Sequence, residues 1–356
     1  MTSPSTNTGK KAATKSSTKR NRTAALTEIS PTLGCYRTSD AIDALLDLHN
    51  RVDLIPALGY DQILDTLDKI RVVAAENRLT TVLDLATHAG AVITQVSGVG
   101  GDLTRFMKSA DAEPTHHVRN VLLAVQLAAA LSIHAEIKPV CEAAPVLQKR
   151  STHTVRPLHD DEIVLTRLRA LVVATGSAKD LRAAGTYVLS DIGLTAGETA
   201  EVRADDIDED AATVLAPGNA RLHARYLPVT RFGTVILDAL LTNHRTTGFG
   251  AASLLTYRPD STADRRSALD RRTNGNISAH GVLTRQLETV GLTQADITPA
   301  SIHLWRVNTA HLEAGNAAAH HVSGRRTLDK TLELLDPGRR TAPNANTDAK
   351  KITSFL

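Results

Sequence analysis

From Ser39 to about Ile133 the chain repeats apolar residues at three- and four-residue spacing between polar ones, the period of a helix with one buried stripe. Ser39 or Asp40 caps the first run, which places Ile42, Leu45, Leu46 and His49 on one face. Ile63, Leu64, Leu67 and Ile70 mark a second. Further helices are expected over 81–89, after Gly101, and over 114–133, where Val118, Val121, Leu122 and Val125 form a stripe. The helical period returns over 165–174, 179–189 and 281–290. It shortens to two over 212–215 and 225–229, on either side of Pro217-Gly218-Asn219, which predicts a β-hairpin. A polar, basic stretch without helical period separates two helical bodies. The pattern therefore divides the chain into an arm (1–38), a helical domain (39–145), a linker (146–155), a second domain (156–338) and a tail (339–356).

Composition supports a mainly α fold with a small β-hairpin. At 356 residues and 42% hydrophobic content the chain can bury more than one core. With aromatics at only 3%, alanine, valine and leucine do the filling, which favours helix packing over a β-sandwich. Cys35 and Cys141 are too few and too far apart for a zinc cluster or a disulfide framework, and a reducing cytoplasm is the expected setting. No membrane partner is expected, because the longest apolar run, 121–133, is broken by Gln126 and Ser132 and falls short of the roughly 20 residues of a span.

A formal net charge of +3 is modest, so the location of the positive charge matters more than its total. Lys10, Lys11, Lys15, Lys19, Arg20 and Arg22 precede the first acid, Glu28, in a segment too polar to order itself. It reads either as a solubilising tail or as an arm that neutralises DNA phosphates. His116, His117, Arg119 and Lys138 fit a solvated helix face as well as a phosphate-facing one. Over 245–275 the residues Arg258, Arg265, Arg266, Arg271 and Arg272 are diluted by Asp260, Asp264 and Asp270, which suits a solvated loop.

The stretch Ile192–Asp208, IGLTAGETAEVRADDID, resembles the first catalytic box of the tyrosine recombinases, the phage-integrase family, in its Gly-Leu start, Glu198 and closing Asp-Ile-Asp. Arg156-Pro157-Leu158 with Glu162 is similar to that family's entry into its catalytic domain, and Arg225-Tyr226-Leu227-Pro228-Val229 to its Arg-x-Val-Pro-Leu strand. Ile297–Gly315 resembles the Thr-Pro-His-x-Leu-Arg helix ending in Glu-Ala-Gly, and Val322–Asp329 the Leu-Gly-His turn. The resemblance covers 156–336. It implies a two-domain, integrase-like DNA clamp with duplex DNA as ligand, other recombinase subunits as further partners, and no cofactor.

It also implies functional positions. Thr195 stands where the family has an arginine, Arg221 is nearest to its hairpin lysine, and Arg325 replaces a His or Trp. Leu334 falls at the nucleophilic tyrosine. Two registers compete in the second box. Anchoring on Thr298-Pro299 puts Ala300 at the histidine and His303 at the second arginine, whereas reading His303 to Arg306 as His-x-x-Arg keeps both. The family's reaction needs a tyrosine to attack the phosphate and two arginines to hold the developing charge. No tyrosine follows Tyr257. The expectation is a DNA-binding protein of recombination or integration that does not itself cleave, touching phosphates through the arm, Arg221, His303 or Arg306, and Arg325. An active divergent recombinase and a helical scaffold without a DNA role are the alternatives.

Overall fold

The computed structural model describes residues 37–81, 84, 155–258, 268–293 and 296–336. The arm with Lys10, Lys11, Lys15, Lys19, Arg20 and Arg22 lies outside the described residues, as do most of 81–89, the helices expected after Gly101 and over 114–133, the linker before Val155, and the tail.

The described residues form a mainly helical structure with one small sheet. Helices α1 (Thr38–Val52) and α2 (Tyr60–Glu76) are the first two runs of the pattern, and they bury Ile42, Leu45 and Leu48 and Ile63, Leu67 and Ile70. Next come α3 (Asp160–Ala174), α4 (Ala178–Asp191) and the single turn α5 (Ala196–Thr199). Strands β1 (Ile207–Asp208), β2 (Thr213–Ala216) and β3 (Arg225–Pro228) follow, then α6 (Arg231–Thr246), α7 (Ala268–Thr289), α8 (Pro299–Ser323) and α9 (Leu328–Leu335).

Local chemistry explains where the central helices start. The Glu162 carboxylate turns back to accept from the His159 N–H at 2.8 Å and pairs with Arg156 at 2.7 Å. Three acids in that first turn complement the helix dipole. Ser177 and Asp180 reciprocate in the same way at the start of α4. Both helices are then buried on most of their circumference, and α3 packs on α4, which packs on α6. A Cβ on Gly185 would stand 2.4 Å from the end of the Leu240 side chain, which would have to shift to admit it between α4 and α6.

The sheet is antiparallel in the order β1-β2-β3, with Val214 opposite Leu227 and Ala216 opposite Arg225. Alternation turns Val214, Ala216, Leu227 and Arg225 toward the core and leaves Tyr226 exposed. An arginine is thus placed on the buried face by strand period alone.

Three details differ from the pattern. Helix α7 starts at Ala268 instead of Gly281, so Arg271 and Arg272 stand on a helix and not in a loop. Its buried stripe begins with Gly275 and Ala279 while Ile277 points outward, which hides its first turns from a search for large apolar residues. Helix α6 is unassigned by the pattern reading although Phe232, Ile236, Leu237, Leu240 and Leu241 are buried along it. The chain between β2 and β3 reverses over Asn219–Leu222, one step beyond the predicted turn, where Asn219 Oδ1 accepts from the Arg221 and Leu222 N–H groups at 2.8 and 3.1 Å.

Candidate nucleic-acid groove

The carbonyl of Gly193 is the hub of the site. It accepts from Arg225 Nη2 at 3.1 Å and from His303 Nδ1 at 2.8 Å. Gly193 has φ +113, and a Cβ there would lie 2.8 Å from Val322, so the position requires glycine. Arg225 also donates to Glu198 at 2.7 and 3.3 Å, to the Val322 carbonyl at 2.9 Å and to the His223 carbonyl at 3.2 Å. This buried pair ties β3 to the first box and to the end of α8.

Thr195 caps α5. Its N–H and hydroxyl both donate to Glu198 Oε2 at 2.9 Å, so the Thr195 side chain is committed to the turn. At the other end of the site the hairpin loop is zipped to the turn after α8, with the His223 N–H on the Gly324 carbonyl at 2.8 Å and Leu222 bridged to Arg325. Thr331 anchors α9 through Ser323 at 2.9 Å and His320 at 3.0 Å. Leu334 lies three residues further along that helix.

These anchors surround an open groove of about 980 Å³. Thr195, Arg221, Ala300, His303, Arg325 and Leu334 all line it, although they come from five separate parts of the chain. Arg306 does not line it. That side chain is 17% exposed and faces Glu313 at 3.9 Å. Arg272, Asn276 and His280 of α7 form a further wall which the sequence reading missed, since the helix start was hidden. Arg272 pairs with Glu201 through two nitrogens, and Glu333 pairs with Lys330 at 2.9 Å. Arg221 is exposed and makes no ion pair among the described residues.

The described tyrosines stand elsewhere. Tyr60, Tyr187, Tyr226 and Tyr257 do not line the groove, and Tyr187 is fully buried. Among the described residues no group of His, Cys, Asp and Glu could hold a metal ion, and no helix is long and apolar enough to cross a membrane.

His303 departs from the role the resemblance implies for it. Burial, aided by the Arg225 and Arg325 cations and opposed by the Glu198 carboxylate, pushes its pKa from 6.5 down to about 4. The neutral ring donates from Nδ1 to Gly193, which leaves Nε2 a buried acceptor without a hydrogen-bond partner among the described residues. A phosphate ester receives no proton from such a ring, so the groove's cations are its arginines. The linkage has a definite sign. The depressed folded pKa means the unfolded chain binds more protons between pH 6.5 and about 4, so stability present above pH 6.5 is lost as pH falls through that window. A shift of this size is on the order of 3 kcal/mol. Unfolding free energies measured at steps from pH 7 to 4 should show this slope in the wild type and a shallower one in His303→Gln.

No family model and no curated protein matches the chain. Among solved structures it is similar to XerA recombinase at 12% identity, over 82% of this chain and 98% of that one, with a TM-score of 0.38. It is similar to the Tn1549 transposon integrase in complex with transposon right end DNA at 10% identity, over 89% and 99% of the two chains, with a TM-score of 0.37. A lambda integrase dimer bound to a COC′ core site gives 14% identity over 86% and 79%, with a TM-score of 0.36.

Proposed function

We propose that this chain binds duplex DNA through the groove, in a setting of recombination or integration, and does not cut it. One observation carries the reading. The positions that the sequence resemblance picks out separately, Thr195, Arg221, Ala300, His303, Arg325 and Leu334, share one open groove. Arg221 and Arg325 supply charge and forked donors of the kind that bind phosphates, beside Arg272, whose fork is held by Glu201. Strand transfer would in addition need a nucleophile and dense positive charge at the reacting phosphate. Leu334 and Thr195, which the resemblance sets at those positions, line the groove and supply neither. In this reading residues 1–38 add a cationic arm and residues 39–145 a second jaw.

The test is binding to a labelled duplex over a series of salt concentrations. Arg221→Glu and Arg325→Glu should each weaken binding, and each phosphate that is no longer neutralised should flatten the log-log salt slope by about 0.9. Arg221 is exposed, so the first variant should melt like the wild type. Wild-type slopes in both variants would remove the groove from the interface.

A further inference from the structure

A second basin of about 880 Å³ adjoins the groove and shares Glu201 and Arg272 with it. In its lining the Arg258 guanidinium lies 3.7 Å over the Phe249 ring. Nη1 donates to the Leu254 carbonyl at 2.6 Å and Nη2 to His244 Nδ1 at 2.8 Å. An arginine can only donate, so His244 carries its proton on Nε2, which reaches the Gly250 carbonyl at 3.2 Å. Arg258 is therefore held by a ring face and two acceptors, with no carboxylate in ion-pair range among the described residues. Its Nε is buried and lacks a partner among the described residues. Burial and the nearby Arg182 cation both lower its pKa.

The rest of the basin adds to the imbalance. Arg203 and Arg271 line it, are exposed, and form no ion pair among the described residues. Of the two acids, Glu201 is taken by Arg272, and Asp206 accepts the Arg203 N–H at 2.7 Å. A guanidinium fixed by stacking, with like charges about it and no carboxylate in ion-pair range among the described residues, is set to receive an oxyanion. Sharing Arg272 with the groove makes the DNA backbone its source.

We propose that the basin is a second phosphate site, which takes a further backbone phosphate of the DNA held in the groove. This rests on the DNA reading above. The experiment measures the salt dependence of duplex binding for the wild type, Arg258→Gln, the exposed pair Arg203→Gln/Arg271→Gln, and Arg221→Glu. Removing the guanidinium in Arg258→Gln should flatten the log-log slope by about 0.9, and the exposed pair, which leaves the core intact, should flatten it too. Unchanged slopes in both, with Arg221→Glu still weakened, would overturn the basin and spare the groove. A wild type that binds no duplex would overturn both. Inorganic phosphate at constant ionic strength separates the sources. If it raises the wild-type melting temperature but not that of Arg258→Gln, while the DNA slopes of the basin variants stay at the wild-type value, the site takes free phosphate and the DNA assignment fails.

Discussion

Replacing Arg225 with methionine is expected to cost roughly 3–5 kcal/mol of folding stability, because it strands a buried carboxylate. Glu198 is 1% exposed, and its strong partner in the site is the Arg225 guanidinium at 2.7 Å. The same change also removes the donors that satisfy the carbonyls of Gly193, Val322 and His223. Urea unfolding reads the effect directly. The reverse variant, Glu198→Gln, should also destabilise, and the double variant Arg225→Met/Glu198→Leu should lose less than the sum of the two single changes, since no lone charge remains. A loss in Arg225→Met no larger than that of an ordinary surface substitution would show that the pair does not hold the site together.

The second large effect is expected at Arg167, where Arg167→Leu should again cost roughly 3–5 kcal/mol. Its guanidinium bonds to the fully buried Asp191 at 3.1 and 2.9 Å and reaches the Leu54 carbonyl at 3.1 Å. It also lies 5.4 Å from the Phe232 ring and 5.2 Å from that of Trp305. Lysine cannot reproduce a planar group that forks to a carboxylate and stacks between rings, so Arg167→Lys should recover little of the loss. The Leu54 hydrogen bond gives a second readout. Limited proteolysis near residues 53–56 should accelerate in Arg167→Leu, because the loop between α1 and α2 loses its tie to α3. Unaltered cleavage there would confine the effect of Arg167 to its pair with Asp191 and the rings beside it.

Both arginines explain why part of this molecule was readable in the sequence and part was not. Apolar residues at helical spacing announced α1, α2, α3, α4 and the second half of α7, the resemblance alone suggested α8, and the hairpin followed from its period and its glycine. Arg225 was visible only as the first letter of a strand motif. Its burial depends on alternation with Leu227 and on a glutamate 27 residues away, which no local pattern encodes. Thr195, Ala300, His303 and Arg325 were picked out by motifs of the resemblance, and Arg221 and Leu334 only by their neighbourhoods, whereas Arg272 was read as part of a solvated loop, since small residues form the inner stripe of α7. His303 shows the limit most clearly. Its identity was plain, but its neutrality comes from burial beside Arg225 and from the Gly193 carbonyl, and both are products of the fold.

The groove is proposed to hold duplex DNA and leave it intact. Thr195→Arg and Leu334→Tyr, singly or together, should not create cleavage, because catalytic groups acting as a unit are strongly non-additive and neither variant restores the full set. The most direct measurement incubates the wild-type protein with a labelled duplex nicked so that any covalent intermediate is trapped, and follows the same sample by native and by denaturing electrophoresis. Binding without cleavage gives a retarded complex on the native gel and free DNA alone under denaturing conditions. A protein–DNA adduct that survives denaturation, or no complex even at low salt, would contradict it.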